Sequence, residues 1–336
     1  MDETIGEQPR RKDVASCAWA CGIDLGDTTV LQHPASLLVP PNRPLLVGIV
    51  NITADSFSDG GRFLAAEDAV RYARRLSAEG ADIIELGPAA SHPGAEKVTA
   101  SEETRRLADV IDPLVAAGIP VSVDSFLPET QRFAIAHGAS YLNDIQGFPD
   151  PGLYEELAAN RCRLIVMHSV QRTGPATKVL TDPSAVQGGI ERFFGERLSA
   201  LQAAGISRER LIIDPGLGYF LGSTPEPSVM ALARLRRTKA QFDLPVLVSP
   251  SRKSFLRTLT GRELEHIGPA SLAAELYAAC QGVDFIRTHN IAAIRDALTV
   301  FNTLQAHREV PSRTSEDRPS QWHLRAVESS SSSEAP

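Results

Sequence analysis

The chain has 336 residues, 43% of them apolar and 22% charged, a balance suited to a large buried core, and its formal charge is −7 with a pI near 5.7. That acidity excludes a surface built to neutralise a nucleic-acid backbone or an anionic membrane, so any anion must be held locally. No stretch approaches the roughly 18 to 20 unbroken apolar residues of a membrane span.

Residues 1–40 show no clear apolar periodicity and are expected to form a mobile extension. Arg10-Arg11-Lys12 precedes Val14-Ala15-Ser16-Cys17 as in some export leaders, but Glu7 to Asp13 is polar where a leader would be apolar. Export is therefore not expected. Four cysteines, Cys17, Cys21, Cys162 and Cys280, are too few for a disulfide framework. Cys17 and Cys21 lack a second pair at zinc spacing, so free thiols in a reducing, cytoplasmic compartment are expected.

From Pro44 onward, short β-branched runs alternate with longer amphipathic stretches, which predicts repeated strand-helix units on a parallel sheet. A strand over Leu45–Asn51 leads to a helix over Ala65–Glu79, Asp82–Gly87 to Ser101–Ala117, Pro120–Ser125 to Pro128–His137, and Tyr141–Ile145 to Pro151–Asn160. The pattern repeats: Arg163–His168 precedes Pro183–Ala204, Leu211–Asp214 precedes Pro227–Phe242, Pro245–Ser251 precedes Ser271–Cys280, and Asp284–His289 precedes Ala292–Gln305. Several of these helices open with Pro or Ser, residues suited to helix starts. Eight units make one (β/α)8 TIM barrel, a fold of about 250 residues, with residues 44–306 as the catalytic domain. An open doubly wound sheet is disfavoured, because no Gly-rich dinucleotide fingerprint follows the first strand. The tail over 308–336 is rich in Ser, Arg and Glu, includes the run Ser329–Ser333, and is expected to be disordered.

Each predicted strand is nearly all apolar until its last residues, as befits strands buried on both faces. In such a barrel those ends face the active site. The strands end in, or run into, Asn51, Ser91-His92-Pro93-Gly94, Asp124-Ser125, Asn143-Asp144, Met167-His168, Asp214-Pro215-Gly216, Ser251-Arg252-Lys253-Ser254 and Arg287-Thr288-His289. One such polar residue alone is more often a cap or a turn former. Eight together read as a mouth for a polar heterocycle beside an anion. Arg287 and His289 point to the anion, as does the loop from Asn51 to Gly61, whose oxygen ligands, hydroxyls and paired glycines read as a lid over a phosphate-bearing substrate. The plain alternative is a polar surface loop.

Taken in order, these segments closely resemble the dihydropteroate synthases, over about Pro44 to Gln305. The likeness includes the loop Asn51-Ile52-Thr53-Ala54-Asp55-Ser56-Phe57-Ser58-Asp59-Gly60-Gly61 and the stretch from Asp82 through Pro93-Gly94. It continues in Val123-Asp124-Ser125, Asn143-Asp144-Ile145, Met167-His168, Asp214-Pro215-Gly216, Ser251-Arg252-Lys253-Ser254-Phe255 and Arg287-Thr288-His289. The resemblance implies condensation of 6-hydroxymethyl-7,8-dihydropterin diphosphate with p-aminobenzoate to give 7,8-dihydropteroate and diphosphate, with Mg2+ as cofactor and a homodimer as the assembly. It implies that Asp124, Asn143, Met167, Asp214 and Lys253 bind the pterin, and that Asn51, Arg287 and His289 hold the diphosphate, Asn51 also meeting the metal. It further implies that Phe57, Ser91, Pro93 and Ser254 place p-aminobenzoate, and that Asp124, Lys253, Arg287 and His289 carry the catalysis.

Two departures stand out. Most members have Glu-Ser-Thr-Arg-Pro-Gly where this chain has Ala89-Ala90-Ser91-His92-Pro93-Gly94, so His92 replaces an anion-contacting Arg. After Asp214-Pro215-Gly216 and one apolar residue, the common Gly-Phe-Gly-Lys gives way to Gly218-Tyr219-Phe220-Leu221-Gly222, which reads as a short bulky insertion. With Glu129-Thr130-Gln131-Arg132 and Gln146-Gly147-Phe148-Pro149-Asp150, these departures are similar to the sulfonamide-resistant branch, and Tyr219 and Phe220 are the residues expected to discriminate against the drug. Tyr219 stands where resistant forms have Phe, which keeps a sulfonamide-sensitive chromosomal relative open. A methyltetrahydrofolate-dependent methyltransferase barrel would share the Asp and Asn ligands but needs neither the Asn51–Gly61 loop nor Lys253. A catalytically dead pterin binder would be expected to lack Asn51, Arg287 or His289, and all three are present.

Overall fold

The computed structural model describes residues 43–52 and 66–307. Eight parallel strands, β1 (Leu45–Asn51), β2 (Ile83–Gly87), β3 (Val121–Asp124), β4 (Tyr141–Asp144), β5 (Arg163–Met167), β6 (Leu211–Asp214), β7 (Leu247–Val248) and β8 (Phe285–Thr288), lie in the order β6-β5-β4-β3-β2-β1-β8-β7. A bridge between Ile213 and Val246 joins the two ends of that order, and the Ile213 amide donates to the Pro245 carbonyl at 2.9 Å. The sheet therefore rolls into a (β/α)8 TIM barrel. The β6–β7 seam is short because Pro245 and Pro250 flank β7 and have no N–H to give a ladder. The strand expected over Pro245–Ser251 is cut to two residues for the same reason.

The helices are α1 (Ala66–Ala78), α2 (Ala100–Ala116), α3 (Pro128–Ala136), α4 (Tyr154–Ala159), α5 (Pro183–Ala203), α6 (Glu226–Ala233), α7 (Leu235–Phe242), α8 (Ser254–Thr260), α9 (Gly268–Cys280) and α10 (Ile291–Ala306). Local chemistry sets their ends: Asp182 accepts from the Ser184 amide at 2.9 Å ahead of Pro183, and Asn290 caps α10 through the Ala293 amide at 3.1 Å. The single helix expected over Pro227–Phe242 is two, broken at Arg234. The short α8 was absent from the sequence reading; Gly261, with φ +63°, ends it in the left-handed region that glycine enters freely. None of the helices of the described residues is long and apolar enough to cross a membrane. Cys162 and Cys280 are buried free thiols, and Cys17 and Cys21 lie outside the described residues.

The core has two parts that the strand period separates. Outward residues such as Leu46, Ile84, Val123, Leu142, Val166 and Ile213 pack under the helices, against Leu76, Leu107, Ile111, Phe193 and Phe194. Inward residues Val47, Ile83, Ile165, Ile212, Leu247 and Phe285, with Tyr141, plug the amino end of the barrel. Two residues further along the same inward faces the chemistry changes: Ile83 is followed by Glu85, Tyr141 by Asn143, Ile212 by Asp214, Leu247 by Ser249 and Phe285 by Arg287. An apolar floor thus carries a polar ceiling at the carboxyl end, where barrels of this kind keep their sites.

Candidate active site

Arg287 holds the ceiling together. Its Nε donates to Glu85, its Nη2 donates to Asp124 Oδ2 at 3.1 Å, and its Nη1 lies 3.5 Å from Ser249 Oγ. Glu85 has no exposed surface and also accepts from Ser122 Oγ and from Asn143 Nδ2, each at 3.1 Å. Because an ionised carboxylate only accepts, that contact fixes the Asn143 amide with its Nδ2 toward Glu85. Asn143 Oδ1 is then left buried without a hydrogen-bond partner, an acceptor available to a ligand N–H. Asp214 anchors one oxygen on the Gly216 amide at 2.8 Å. Gly216 has φ +75°, and a Cβ there would stand 2.3 Å from the His168 carbonyl, so only glycine makes this turn.

Burial sets the electrostatics. It pushes Asp124 up to about 7, helped by the charge of Glu85 and opposed by Arg287 and Lys253. It pushes Asp214 up to about 6, against the Gly216 amide and Lys253. Lys253 falls to about 8 through burial and the nearby Arg287, while Asp214 and Asp124 pull it back. Its ammonium sits 5.1 Å from the centre of the Phe220 ring, a cation–π contact. Acidic acceptors and cationic donors therefore interleave around one small, enclosed space.

That space, about 20 Å³, is lined by Asp124, Asn143, Met167, Asp214, Lys253 and Arg287, all picked from the sequence, together with Ser91, Ser249 and Phe220. Outside it opens a cavity of about 570 Å³, walled by Ser91, Pro93, Tyr219, Phe220, Lys253 and Ser254, with Arg252, Lys178 and Arg257 adding positive charge against the single acid Glu265. Phe220 lines both chambers and packs on Ile145, Met167 and Ala176. The bulky insertion is a 3-10 turn over Gly218–Phe220, tied down where the Phe220 carbonyl accepts from the Val170 amide at 2.9 Å and where Leu221 enters the core. His289 lines a third cavity of about 460 Å³, and burial beside Arg252, Arg287 and Lys253 holds its pKa well below the usual histidine value. Asn51 ends β1 with its amide oxygen over Gly87, where a Cβ would come within 3.2 Å of it. Phe57 and the rest of the loop from Thr53 lie outside the described residues.

Three of the polar strand-end residues, Asp144, His168 and Ser125, point away from this space, because neighbours along a strand alternate faces. Asp144 accepts from the Gln146 amide at 2.7 Å and from Gln131 Nε2 at 3.0 Å under the helices, where burial raises it to about 6. His168 packs edge-on against Phe193, contacts the Pro215 carbonyl at 3.0 Å, and is lowered to about 4 by burial. Ser125 donates to the buried Glu103. Glu85, in contrast, was missed. Its signal was available: an acid in the middle of Ile83-Ile84-Glu85-Leu86-Gly87, a strand buried on both faces, must be buried and so must have a partner.

Fold and geometry define a barrel enzyme with a small chamber of interleaved acids and cations at its mouth and a larger, mostly cationic chamber outside it. The pattern of the family described as "Pterin binding enzyme" matches residues 47–289. "Dihydropteroate synthase type-2" of Escherichia coli is 53% identical over 265 residues, covering 79% of this chain and 97% of that protein. A solved dihydropteroate synthase of Xanthomonas albilineans with 4-aminobenzoic acid superposes with a TM-score of 0.72 at 41% identity, covering 80% of this chain and 95% of the other. The same enzyme in complex with 7,8-dihydropteroate gives 0.68 at 40% identity over the same shares. The chain belongs to the dihydropteroate synthase family of pterin-binding enzymes.

Proposed function

We infer that this protein condenses 6-hydroxymethyl-7,8-dihydropterin diphosphate with p-aminobenzoate, forming 7,8-dihydropteroate and diphosphate. The observation that carries this reading is the orphaned Asn143 Oδ1 within a ring of Asp124, Asp214 and Lys253, which asks for a planar ligand offering both N–H donors and a carbonyl acceptor on one edge. A pterin has that edge. Asn143 Oδ1 and the Asp214 carboxylate accept its N–H groups, and Lys253 donates to its carbonyl. The cavity of about 20 Å³ is too small for the ring, so the Arg287 or Phe220 side chain swings aside on entry.

The chemistry follows from charge. The C–O bond to diphosphate breaks, and Arg287 with His289 meets the charge that develops on the leaving oxygens in a site poor in water. Asp124 faces the pterin-methyl carbon as it becomes cationic. The p-aminobenzoate nitrogen, held between Ser91, Pro93 and Ser254, forms the new C–N bond and gives up its proton. Because that nitrogen is neutral and already nucleophilic, positioning matters more than a strong base.

A divalent cation fits this site as the diphosphate's companion. No group of three His, Cys, Asp or Glu among the described residues could hold a metal by itself. Asn51 offers a neutral oxygen, of the kind Mg2+ accepts beside waters and substrate phosphates. Mg2+ held there supplies charge neutralisation for the leaving group.

The finer reading is a sulfonamide-insensitive enzyme. It is supported by the type-2 relative's 53% identity and by Tyr219 and Phe220, which line the same outer chamber as Ser91, Pro93 and Ser254. A homodimer is part of the same reading; Tyr277 on α9 and Val300 and Leu304 on α10 leave apolar surface exposed to receive a second copy. The test of the activity is a steady-state assay with the pterin diphosphate, p-aminobenzoate and Mg2+. Formation of 7,8-dihydropteroate at a rate saturable in both substrates is expected; no product with either substrate saturating would overturn the reading.

A further inference from the structure

Behind His289 lies an acid that the reaction just described does not use. Glu275, on α9, is 2% exposed, and its Oε1 has no hydrogen-bond partner. Burial dominates its surroundings and raises its pKa to about 7; only the hydroxyls of Thr288 and Ser251 oppose that, with no cation among the influences on it. An unpartnered oxygen is tolerable on a neutral acid and costly on a buried carboxylate. The geometry therefore favours the neutral form.

Both hydroxyls flank His289. Thr288 precedes it on the chain, and Ser251 Oγ lies 3.0 Å from His289 Nδ1 while accepting from the His289 backbone amide at 3.3 Å. All four side chains face one cavity together with Arg252. The direction of the chain Glu275–Ser251–His289 decides what the imidazole offers an anion. An ionised Glu275 would take the single Ser251 proton, Nδ1–H would then donate to Ser251 Oγ, and Nε2 would turn a lone pair toward a phosphate. A neutral Glu275 donates to Ser251 instead, the Ser251 hydroxyl donates to Nδ1, and the single ring proton sits on Nε2. Burial beside Arg252, Arg287 and Lys253 keeps the free ring from carrying both protons.

We propose that Glu275 is a positioning residue for the diphosphate end of the site: as a neutral acid it orients Ser251, and through Ser251 it fixes the His289 tautomer that presents Nε2–H to the leaving group. The proposal rests on the assignment of His289 to the diphosphate, but the tautomer is measurable without turnover.

The test is nitrogen-15 NMR of the full chain with labelled histidine, which separates the two neutral tautomers, His289 being assigned by the signal lost in His289→Gln. The wild type at pH 6, below the range in which Glu275 ionises, is expected to show Nε2–H. Glu275→Gln, which keeps a neutral donor, is expected to retain it, and Glu275→Leu to populate both tautomers. In parallel, Glu275→Leu should lower kcat/KM for the pterin diphosphate by on the order of tenfold, the scale found for partners that orient a functional histidine, with the p-aminobenzoate KM unchanged and with Gln restoring most of the loss. A wild-type ring in the Nδ1–H form, or a Leu variant with a single unchanged Nε2–H signal, overturns the proposal. An Nε2–H ring that depends on Glu275 in a protein forming no dihydropteroate would support the relay and overturn the activity.

Discussion

Arg287 Nη2 reaches Asp124 Oδ2 at 3.1 Å across the barrel mouth, joining β8 to β3, two strands that share no ladder. The same guanidinium holds Glu85 on β2. One side chain on β8 thus sets the spacing of two acids on other strands, and a ligand that draws it toward a phosphate loosens the contacts that close the pterin space.

For that reason Arg287→Ala is expected to lower kcat on the order of 100-fold or more while leaving the p-aminobenzoate KM within a few-fold, since its contact strengthens only as charge builds on the leaving group. Steady-state kinetics with each substrate varied in turn decide it. A near-wild-type kcat would remove Arg287 from the diphosphate role.

Glu85→Ala tests the other end of the pair. Removing one partner of a buried ion pair leaves the other uncompensated, which commonly costs about 3–5 kcal/mol. Arg287 retains Asp124, which is 17% exposed on its side chain, so a loss toward about 3 kcal/mol is expected in urea unfolding. A loss below about 1 kcal/mol would mean that Arg287 is held by other groups.

The buried Glu275 predicts a pH dependence of stability with a definite sign. Its pKa in the folded chain is raised from 4.5 to about 7, so the folded state binds the proton more tightly than the unfolded one. That contribution is fully present below about pH 4.5 and is lost as pH rises through about 7, amounting to about 3 kcal/mol by pH 9. Glu275→Gln has no such proton to lose. Urea midpoints at pH 5 and pH 9 should therefore fall more for the wild type than for the variant; parallel declines would show that Glu275 does not titrate in this range.

The proposed drug discrimination would rest on shape. A sulfonamide carries a substituent on its sulfonyl nitrogen that the aminobenzoate carboxylate lacks. Bulk from the Gly218–Gly222 turn, if it met that substituent, would reject the drug and spare the smaller substrate. Tyr219→Gly, Phe220→Gly or a turn shortened by two residues should tighten sulfamethoxazole inhibition by roughly 30- to 1000-fold, corresponding to about 2 to 4 kcal/mol, with little gain in p-aminobenzoate affinity. Equal changes in both constants, or a wild type inhibited as readily as ordinary family members, would end this explanation.

Most of the barrel was legible because a strand buried on both faces and a helix buried on one leave different apolar periods. The β1 and β6 strands match residue for residue, and the other strands differ from expectation only at their ends. The exception is β7, where two prolines cut a ladder that hydrophobicity alone would have extended. In the site, a ring of polar strand ends was visible, yet chain order could not say which of two adjacent residues faces inward. Asn143 and Asp144 look equivalent in sequence, and one lines the pterin space while the other braces α3 through Gln131. Glu85 escaped because attention to strand ends passes over an acid in a strand's middle. The Glu275–Ser251–His289 contact joins residues from α9, the turn after β7 and the end of β8, so only the fold brings it together.

The short seam between β6 and β7 has a consequence for how this chain can change. Between the other neighbouring strands, two to five register pairs per ladder tie each strand to the next, so a rebuilt loop tugs on a ladder. At this seam one bridge, Ile213 with Val246, does the work of a ladder. The Gly218–Gly222 turn follows the strand on one side, and Ser251–Ser254 follows the strand on the other. A residue added or enlarged there strains one bridge rather than a ladder, so the barrel has a suture along which the outer chamber is free to vary most.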